Sequence, residues 1–280
     1  MNHAISARVL ALFAGALVAT APLHAQDSKK AFEPHVGQQG KDVIWVPTPD
    51  EVVDRMLRMA QTTANDYVID LGAGDGKIAI AAAKKYNARA LGIEYNPDMV
   101  KHAMQNVEKA GVGAKARVIQ GDIFVTDFTQ ATVLTMYLLP ALNLKLRPQV
   151  LAMRPGTRVA SHSFNMEDWE PDETSSMDGR KAYLWIVPAP VNGNWTLETG
   201  SGKSDVTLEQ RYQKVDGTIT LGPIQAGLRE MRLRGFNLSF AYVDNNGVRR
   251  DFTGRVTGNR MEGSYRGDNG TEGRWNAVKK

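Results

Sequence analysis

The run Tyr67-Val68-Ile69-Asp70-Leu71 opens directly onto Gly72-Ala73-Gly74-Asp75-Gly76, and Gly76 to Lys85 then carries apolar residues at helical spacing. An apolar strand that passes through a glycine-rich turn straight into a helix is the opening unit of a parallel α/β sheet, because parallel neighbours need a covering crossover between them. The glycines remove side chains where the chain turns, so a ligand can lie against bare backbone at the strand's carboxyl end. This one junction excludes an all-α or all-β origin for the first part of the chain.

The pattern continues on both sides. Arg89–Glu94, Ala116–Gln120, Thr132–Leu138 and Thr157–Ser163 read as further strands, and Lys181–Val187 as a last one. Asn96-Pro97 starts a helix with Val100, Ala103, Met104, Val107 and Ala110 on one face, closed by Gly111. Pro140 to Arg154 reads as a helix that Pro148 should break or kink. Upstream, Thr48-Pro49-Asp50-Glu51 has the form of a capping box, followed by the stripe Val52, Val53, Met56, Leu57, Met59 and Ala60. After Pro188-Ala189-Pro190 the texture changes: 14 of the 26 glycines fall in residues 191–280, and apolar residues alternate with period two. Asn246-Gly247 and Asn269-Gly270 are hairpin turns, and the apolar phase slips at Gly235, where a β-bulge is expected. The expected fold is therefore a doubly wound Rossmann-like α/β sheet followed by a small antiparallel all-β barrel or sandwich.

The amino terminus reads as a leader. Arg8 precedes an apolar run from Val9 to Ala21, too short to span a membrane comfortably, and Ala25 precedes a polar stretch. Residues 1–25 are expected to be a signal peptide that directs the protein to the periplasm or outside the cell. Leu23 stands where a small residue is usual before the cut, so an uncleaved anchor, the one route to membrane association, stays open. Residues 26–44 read as a linker, 45–190 as the α/β domain and 191–280 as the β-domain. Cysteine is absent, which excludes disulfides, thiolate metal sites and a thiol nucleophile, and no spacing of His or carboxylates suggests a metal site. The net charge of +4 comes from residues 191–280, with 14 Lys/Arg against 10 Asp/Glu. Arg229, Arg232, Arg234, Arg249 and Arg250 lack an interleaved aromatic platform, so they read as a solvated face and no nucleic-acid partner is expected.

Three strands end in, or run into, a carboxylate. Asp70 closes the first, Glu94 the second, and Asp122 follows the third. A dinucleotide site uses a Gly-x-Gly-x-x-Gly spacing to seat a pyrophosphate, whereas Gly72, Gly74 and Gly76 are flanked by Asp70 and Asp75, which would repel one. These carboxylates suit a cationic ligand such as the amino group and sulfonium of S-adenosylmethionine (SAM). Glu94 is placed for ribose hydroxyls and Asp122 for the adenine edge, with the weaker alternative that all are a tight turn and solvated strand ends. Thr48 is either an N-cap alone or also a contact for the methionine end. Tyr137, Leu139 and Pro140 follow the fourth strand and should form the substrate mouth, although Tyr137 could equally belong to the core. His162 is either a proton acceptor or a hydrogen-bonded structural histidine.

The segments DLGAGDGKIAIAAAK, EYNP, GDIF and TPDEVVDRML resemble the seven-strand, class I SAM-dependent methyltransferases. They are similar to the branch that contains the lysine methyltransferase of the ATP synthase c subunit and its prokaryotic relatives, over about residues 45–170. The resemblance implies that Asp70, Gly72, Gly74 and Gly76 hold the methionine part of SAM, Glu94 the ribose and Asp122 the adenine. Lys77 stands where the family often has Arg. It implies methyl transfer to a protein amine, while an exported binding protein with a retained SAM scaffold is the other reading. The Asn/Asp-Pro-Pro-aromatic loop of enzymes that methylate DNA-base amines is absent.

Overall fold

The computed structural model describes Met1 and residues 32–280, so the expected signal peptide and the start of the expected linker lie outside the described residues. The elements in chain order are α1 (Asp50–Met59), β1 (Tyr67–Leu71), α2 (Lys77–Tyr86), β2 (Arg89–Glu94), α3 (Pro97–Lys109), β3 (Ala116–Gln120), β4 (Val133–Met136), α4 (Pro140–Leu151), β5 (Arg158–His162), β6 (Glu173–Met177) and β7 (Arg180–Ile186). They build a seven-stranded sheet in the order β3-β2-β1-β4-β5-β7-β6. Strands β1 to β5 pair in parallel, and β7 runs antiparallel to β5 and to β6. The chain winds outward from β1 to β3, then crosses back to β4 on the other side of β1. That reversal opens a crevice at the carboxyl ends of β1 and β4, the place where open α/β sheets bind ligands.

Strand alternation divides the core between the two faces. Val68, Ala90, Val133 and Ala160 pack with the buried stripes of α1 and α2 on one face. Ile69, Leu91, Leu134 and Val159 pack with Leu146 and Val150 of α4 on the other. At the opposite edge, Arg158 pairs with buried Asp66, which also accepts from the Thr132 hydroxyl at 2.7 Å and from the Thr63 N–H at 2.7 Å. Burial raises the Asp66 carboxyl, but the bonds from Arg158, Thr132 and Thr63 outweigh it and leave it below the ordinary value.

Several expectations change. The capping box is absent: α1 begins after Pro49 with no side-chain cap, and Glu51 instead pairs with Arg180 at 2.6 Å. Helix α4 runs unbroken through Pro148, because that residue lies in the last turn and forfeits only its own N–H bond near an end that is about to close. Strand β6 has no counterpart among the expected strands. Its sequence Glu173-Thr174-Ser175-Ser176-Met177 is polar, and the strand forms through the Asp178-Gly179 turn, whose two positive φ angles of 48° and 76° suit a tight hairpin.

The second sheet has nine antiparallel strands: β8 (Gly193–Thr199), β9 (Gly202–Arg211), β10 (Lys214–Leu221), β11 (Ile224–Gly227), β12 (Arg229–Arg234), β13 (Asn237–Val243), β14 (Arg249–Thr257), β15 (Arg260–Gly267) and β16 (Glu272–Lys279). Their order is β11-β10-β9-β8-β16-β15-β14-β13-β12, so the two edge strands are consecutive in sequence. Leu228, the residue between them, donates its N–H to Gly217 of β10 at 2.8 Å, and the sheet curls into a nearly closed barrel. Trp195, Phe240, Phe252 and Trp275 fill its interior. Gly235 is not a bulge. It begins the two-residue turn between β12 and β13, with Leu233 opposite Leu238, and the reversal of direction explains the slip of phase; the irregular register lies instead between Arg229 and Arg232.

The two sheets are bonded to each other. Asp168 accepts from Arg147 at 2.5 Å, Arg211 at 2.9 Å and the Tyr212 hydroxyl at 3.0 Å, and these donors, Arg211 foremost, hold its carboxyl down at about 2. Beside this node Trp169 donates to Gln213 at 3.0 Å. The Gly235 carbonyl accepts the Ala189 N–H at 2.8 Å, and the Gly235 backbone lies against Gly156. A Cβ on Gly235 would stand 3.0 Å from the Gly156 Cα, at a φ of +60°. Gly235→Ala is therefore expected to lower the unfolding free energy in urea by about 2–3 kcal/mol. Gly247→Ala, at a φ of +78° with nothing within 4 Å, should lose only about 1 kcal/mol, from the backbone alone. Equal losses for the two variants would contradict a packed junction between the sheets.

Candidate active site

A cavity of about 300 Å³ opens over the carboxyl ends of β1, β2, β3 and β4. Asp70, Gly72, Gly74, Glu94, Asp122, Thr48, Tyr137 and Leu139 all line it. The glycine loop is shaped by its own backbone bonds: Gly72 and Ala73 donate to the Ile93 carbonyl at 2.9 and 3.0 Å, and Gly72, Gly74 and Gly76 have φ of 75°, 53° and 80°. Glu94 completes the cradle. One carboxylate oxygen accepts the Gly74 N–H at 3.0 Å, and the other accepts the Asn96 N–H at 2.9 Å, where Asn96 caps α3. Gly76 departs from expectation, for it does not line the cavity. A Cβ there would meet Ala103 and Val118 at 3.3 Å, so this glycine serves the close packing of α2 on α3 and β3.

The expected linker over 26–44 is, from Gln38 onward, part of the wall. Gly37 N–H donates to Trp45 O at 2.9 Å, Trp45 N–H to Gln38 O at 2.8 Å and Gly40 N–H to Val43 O at 2.8 Å, which folds residues 37–45 into a short hairpin. The Trp45 indole lies where a Gly74 side chain would be, and Lys41 reaches across to pair with Asp122 at 2.7 Å. Neither contact is legible in the sequence, because each joins this segment to a loop far along the chain. The uninterrupted apolar run Val43-Ile44-Trp45-Val46 is the one local sign.

The acceptor-side candidates separate. Tyr137 and Leu139 line the cavity, together with Leu138, Leu142 and Phe164, while Pro140 is exposed, starts α4 and does not line it. Thr48, released from capping, is buried and places its hydroxyl 3.3 Å from His162 Nδ1. His162 itself is 4% exposed, lies outside the lining and packs its ring 4.0 Å from the Tyr137 ring. Burial first, and the Arg180 charge second, lower its imidazole to about 4. It is neutral at pH 7 and too weak a base to take a proton from an alkylammonium, so the structural role fits its geometry.

Residues 70–173 match the family described as the ANTKMT methyltransferase domain. A protein-lysine N-methyltransferase of Saccharolobus islandicus is 41% identical over 151 residues, covering 52% of this chain and 94% of that protein. The chain belongs to the protein-lysine N-methyltransferase family. The mouse lysine N-methyltransferase of the ATP synthase c subunit is 31% identical over 132 residues, covering 47% of this chain and 53% of that protein. Among solved structures, an RNA methyltransferase from Salinibacter ruber in complex with S-adenosylhomocysteine is 48% identical, covers 52% of this chain and 96% of that one, and superposes with a TM-score of 0.51.

As a member of this family the chain is a SAM-dependent methyltransferase, and its cavity has the chemistry that SAM requires. Among the described residues five carboxylates line it, Asp42, Asp70, Asp75, Glu94 and Asp122, against two lysines. Both lysines are engaged, Lys41 with Asp122 and Lys77 with Asp50 at 2.9 Å. The Lys41 pairing, foremost, holds the Asp122 carboxyl below its ordinary value. Asp70 goes the other way. Full burial, aided by the nearby charges of Asp75 and Glu94 and opposed by the Thr135 hydroxyl at 2.7 Å, pushes it up to about 7.

The sign of the resulting pH dependence follows. With its folded value raised above 3.8, Asp70 contributes stability that is complete below 3.8 and is lost as pH rises through about 7. If the cationic part of SAM binds beside it, the carboxylate is favoured and binding should release a proton below about pH 7. The Kd for SAM is expected to fall by up to about tenfold per pH unit between roughly pH 5 and 7 and then to level off. Asp70→Asn should bind more weakly with a flat profile. Calorimetry in buffers of different ionisation enthalpy measures both, and an unchanged slope in the variant would contradict the assignment.

Proposed function

We propose that the chain transfers a methyl group from SAM to a lysine amine of a protein substrate. The observation that carries this reading is the division of the cavity into two ends. One end is rich in carboxylates, and the other, formed by Tyr137, Leu138, Leu139, Leu142 and Phe164, has no charged side chain. Bound SAM supplies a methyl group on a sulfonium, open to in-line displacement. Asp70 and the Gly72–Gly74 backbone are the groups for the methionine portion, with Thr48 beside them; Glu94 is the group for the ribose and Asp122 for the adenine. At the other end an aliphatic stem can lie along leucine side chains, and the faces of Tyr137 and Phe164 suit an ammonium or its methylated forms. The reacting amine must lose a proton from a group whose ordinary value is about 10.4. Removal of water by this uncharged wall disfavours the ammonium and so assists that loss.

The name of the Salinibacter structure raises RNA as the other acceptor. Phosphates would find little to bind here, since the two lysines of the cavity are already paired. In the β-barrel, Arg249 is held by Glu230 and Asp251 at 2.9 and 2.7 Å, and Arg250 by Asp244 at 2.9 Å. Two of the five arginines that could have formed a basic face are thereby neutralised. The relative from Saccharolobus, whose name states a protein-lysine substrate, supports the same preference.

The test combines binding and product analysis. Calorimetric titration with SAM and S-adenosylhomocysteine should show one site per chain, lost in Gly74→Arg, which would drive a side chain into Trp45 and the cradle. Incubation of a bacterial extract with methyl-labelled SAM should then place label in protein that survives nuclease and yields methylated lysine on acid hydrolysis. Label that nuclease removes would establish RNA as the acceptor and overturn the proposal.

A further inference from the structure

The uncharged end of the cavity is built on a turn that its residues do not adopt freely. Strand β5 ends at His162, and Ser163 follows with φ of 61°, the left-handed region that a non-glycine residue enters only when its surroundings compel it. Phe164 N–H donates back to the His162 carbonyl at 2.7 Å, and Ser163 N–H donates to Lys181 O at 2.8 Å. The Ser161 hydroxyl donates to the Phe164 carbonyl at 2.7 Å. The turn carries the Phe164 ring into the cavity wall, 6.0 Å from the Tyr137 ring and within 19° of parallel.

A second tie comes from α4. Asn143 directs its Nδ2 to the carbonyls of Phe164 at 3.3 Å and Asn165 at 3.2 Å. The residue is fully buried, and its Oδ1 has no hydrogen-bond partner among the described residues. An amide with an unsatisfied oxygen is a poor choice on a helix face that continues through the buried Leu146 and Val150, where leucine would pack without penalty. Its presence is explained by what its nitrogen holds. Asn143 follows directly on Leu142, which lines the cavity, so the same helical turn supplies one wall and fixes another.

We propose that Asn143 is a positioning residue for the methyl acceptor: its carboxamide clamps the strained Ser163-Phe164 turn and so sets the ring of Phe164 against Tyr137. This rests on the reading that the uncharged end receives the amine. The clamp acts through Phe164 and leaves the glycine loop, Glu94 and Asp122 untouched. Loss of the clamp should therefore weaken acceptor binding while cofactor binding stays.

The experiment uses the full chain saturated with S-adenosylhomocysteine, with n-butyltrimethylammonium as a mimic of a methylated lysine side chain. Asn143→Leu keeps the volume and removes the clamp. It is expected to weaken binding of the mimic by about tenfold, as Phe164→Ala does, because both lose one face of the aromatic pair. The double variant should be no weaker than either single one, since the two act in series. The affinity for S-adenosylhomocysteine should stay within about twofold in all three, a margin below the coupling that contacting residues show. Should Asn143→Leu fold poorly, Ser161→Ala removes the companion bond to the same carbonyl and should shift binding of the mimic in the same direction. Wild-type affinity for the mimic in Asn143→Leu, additive losses in the double variant, or a parallel loss of S-adenosylhomocysteine would overturn the clamp. Failure of the wild-type protein to bind the mimic would overturn the acceptor reading itself, and the proposal with it.

Discussion

The carboxylate of Glu94 is the hinge pin of the site. Its two oxygens take the Gly74 N–H and the Asn96 N–H, so one side chain at the end of β2 fixes the glycine loop after β1 and the start of α3 together. Without it the loop would present an unpaired N–H to the cavity and the first turn of α3 would lose its register against β2. The remaining arrangement follows outward from that junction. Gly76 lets α2 approach α3, the loop stands open above β1, and Trp45 closes down on Gly74 because no side chain is there to stop it.

The electrostatics of the cavity depend on the same geometry. Parallel strands bring their carboxyl ends to one edge, and Asp70, Glu94 and Asp122 inherit that edge from β1, β2 and β3. Each is then treated differently. Asp70 is buried and raised, Glu94 is held by two amides, and Asp122 is paired with Lys41 of the hairpin. Preorganised negative charge at one end, with apolar and aromatic side chains at the other, is the division on which the proposed cofactor and acceptor sides rest. The β-barrel is fastened to this unit through Asp168, which joins Arg147 of α4 to Arg211 and Tyr212 of the barrel. Arg147, its partner on α4, belongs to the helix that also supplies Leu142 and Asn143.

What could be read from the sequence was whatever the local pattern determines. The bounds of β1, β2 and β3 emerge from short apolar runs closed by Asp, Glu and Gly, and the strand-end carboxylates come with them. The Asn96 cap was legible because capping is a matter of three successive residues. The misses at the site share one physical origin, a residue whose partner is remote in sequence. Thr48 has the form of a cap but turns to His162, 114 positions away. Residues 35–46 have no periodicity of their own and are ordered by Gly74 and Asp122. Gly76 sits in the motif yet faces Ala103, and Asn143 reads as one polar residue in a helix until Phe164 is brought beside it. Gly235 marked a change of phase, but only pairing distinguishes a turn from a bulge.

The central claim is that SAM lies with its cationic part over Asp70 and the glycine loop and directs its methyl group toward Tyr137 and Phe164. The most direct measurement is isotope-edited NMR of the protein bound to SAM carrying a ¹³C-labelled methyl group. Nuclear Overhauser contacts from that methyl to the ring protons of Tyr137 and Phe164 are the result the account predicts. Contacts to Trp45 or to Tyr95, which follows Glu94 and also lines the cavity, with none to Tyr137 or Phe164, would contradict it.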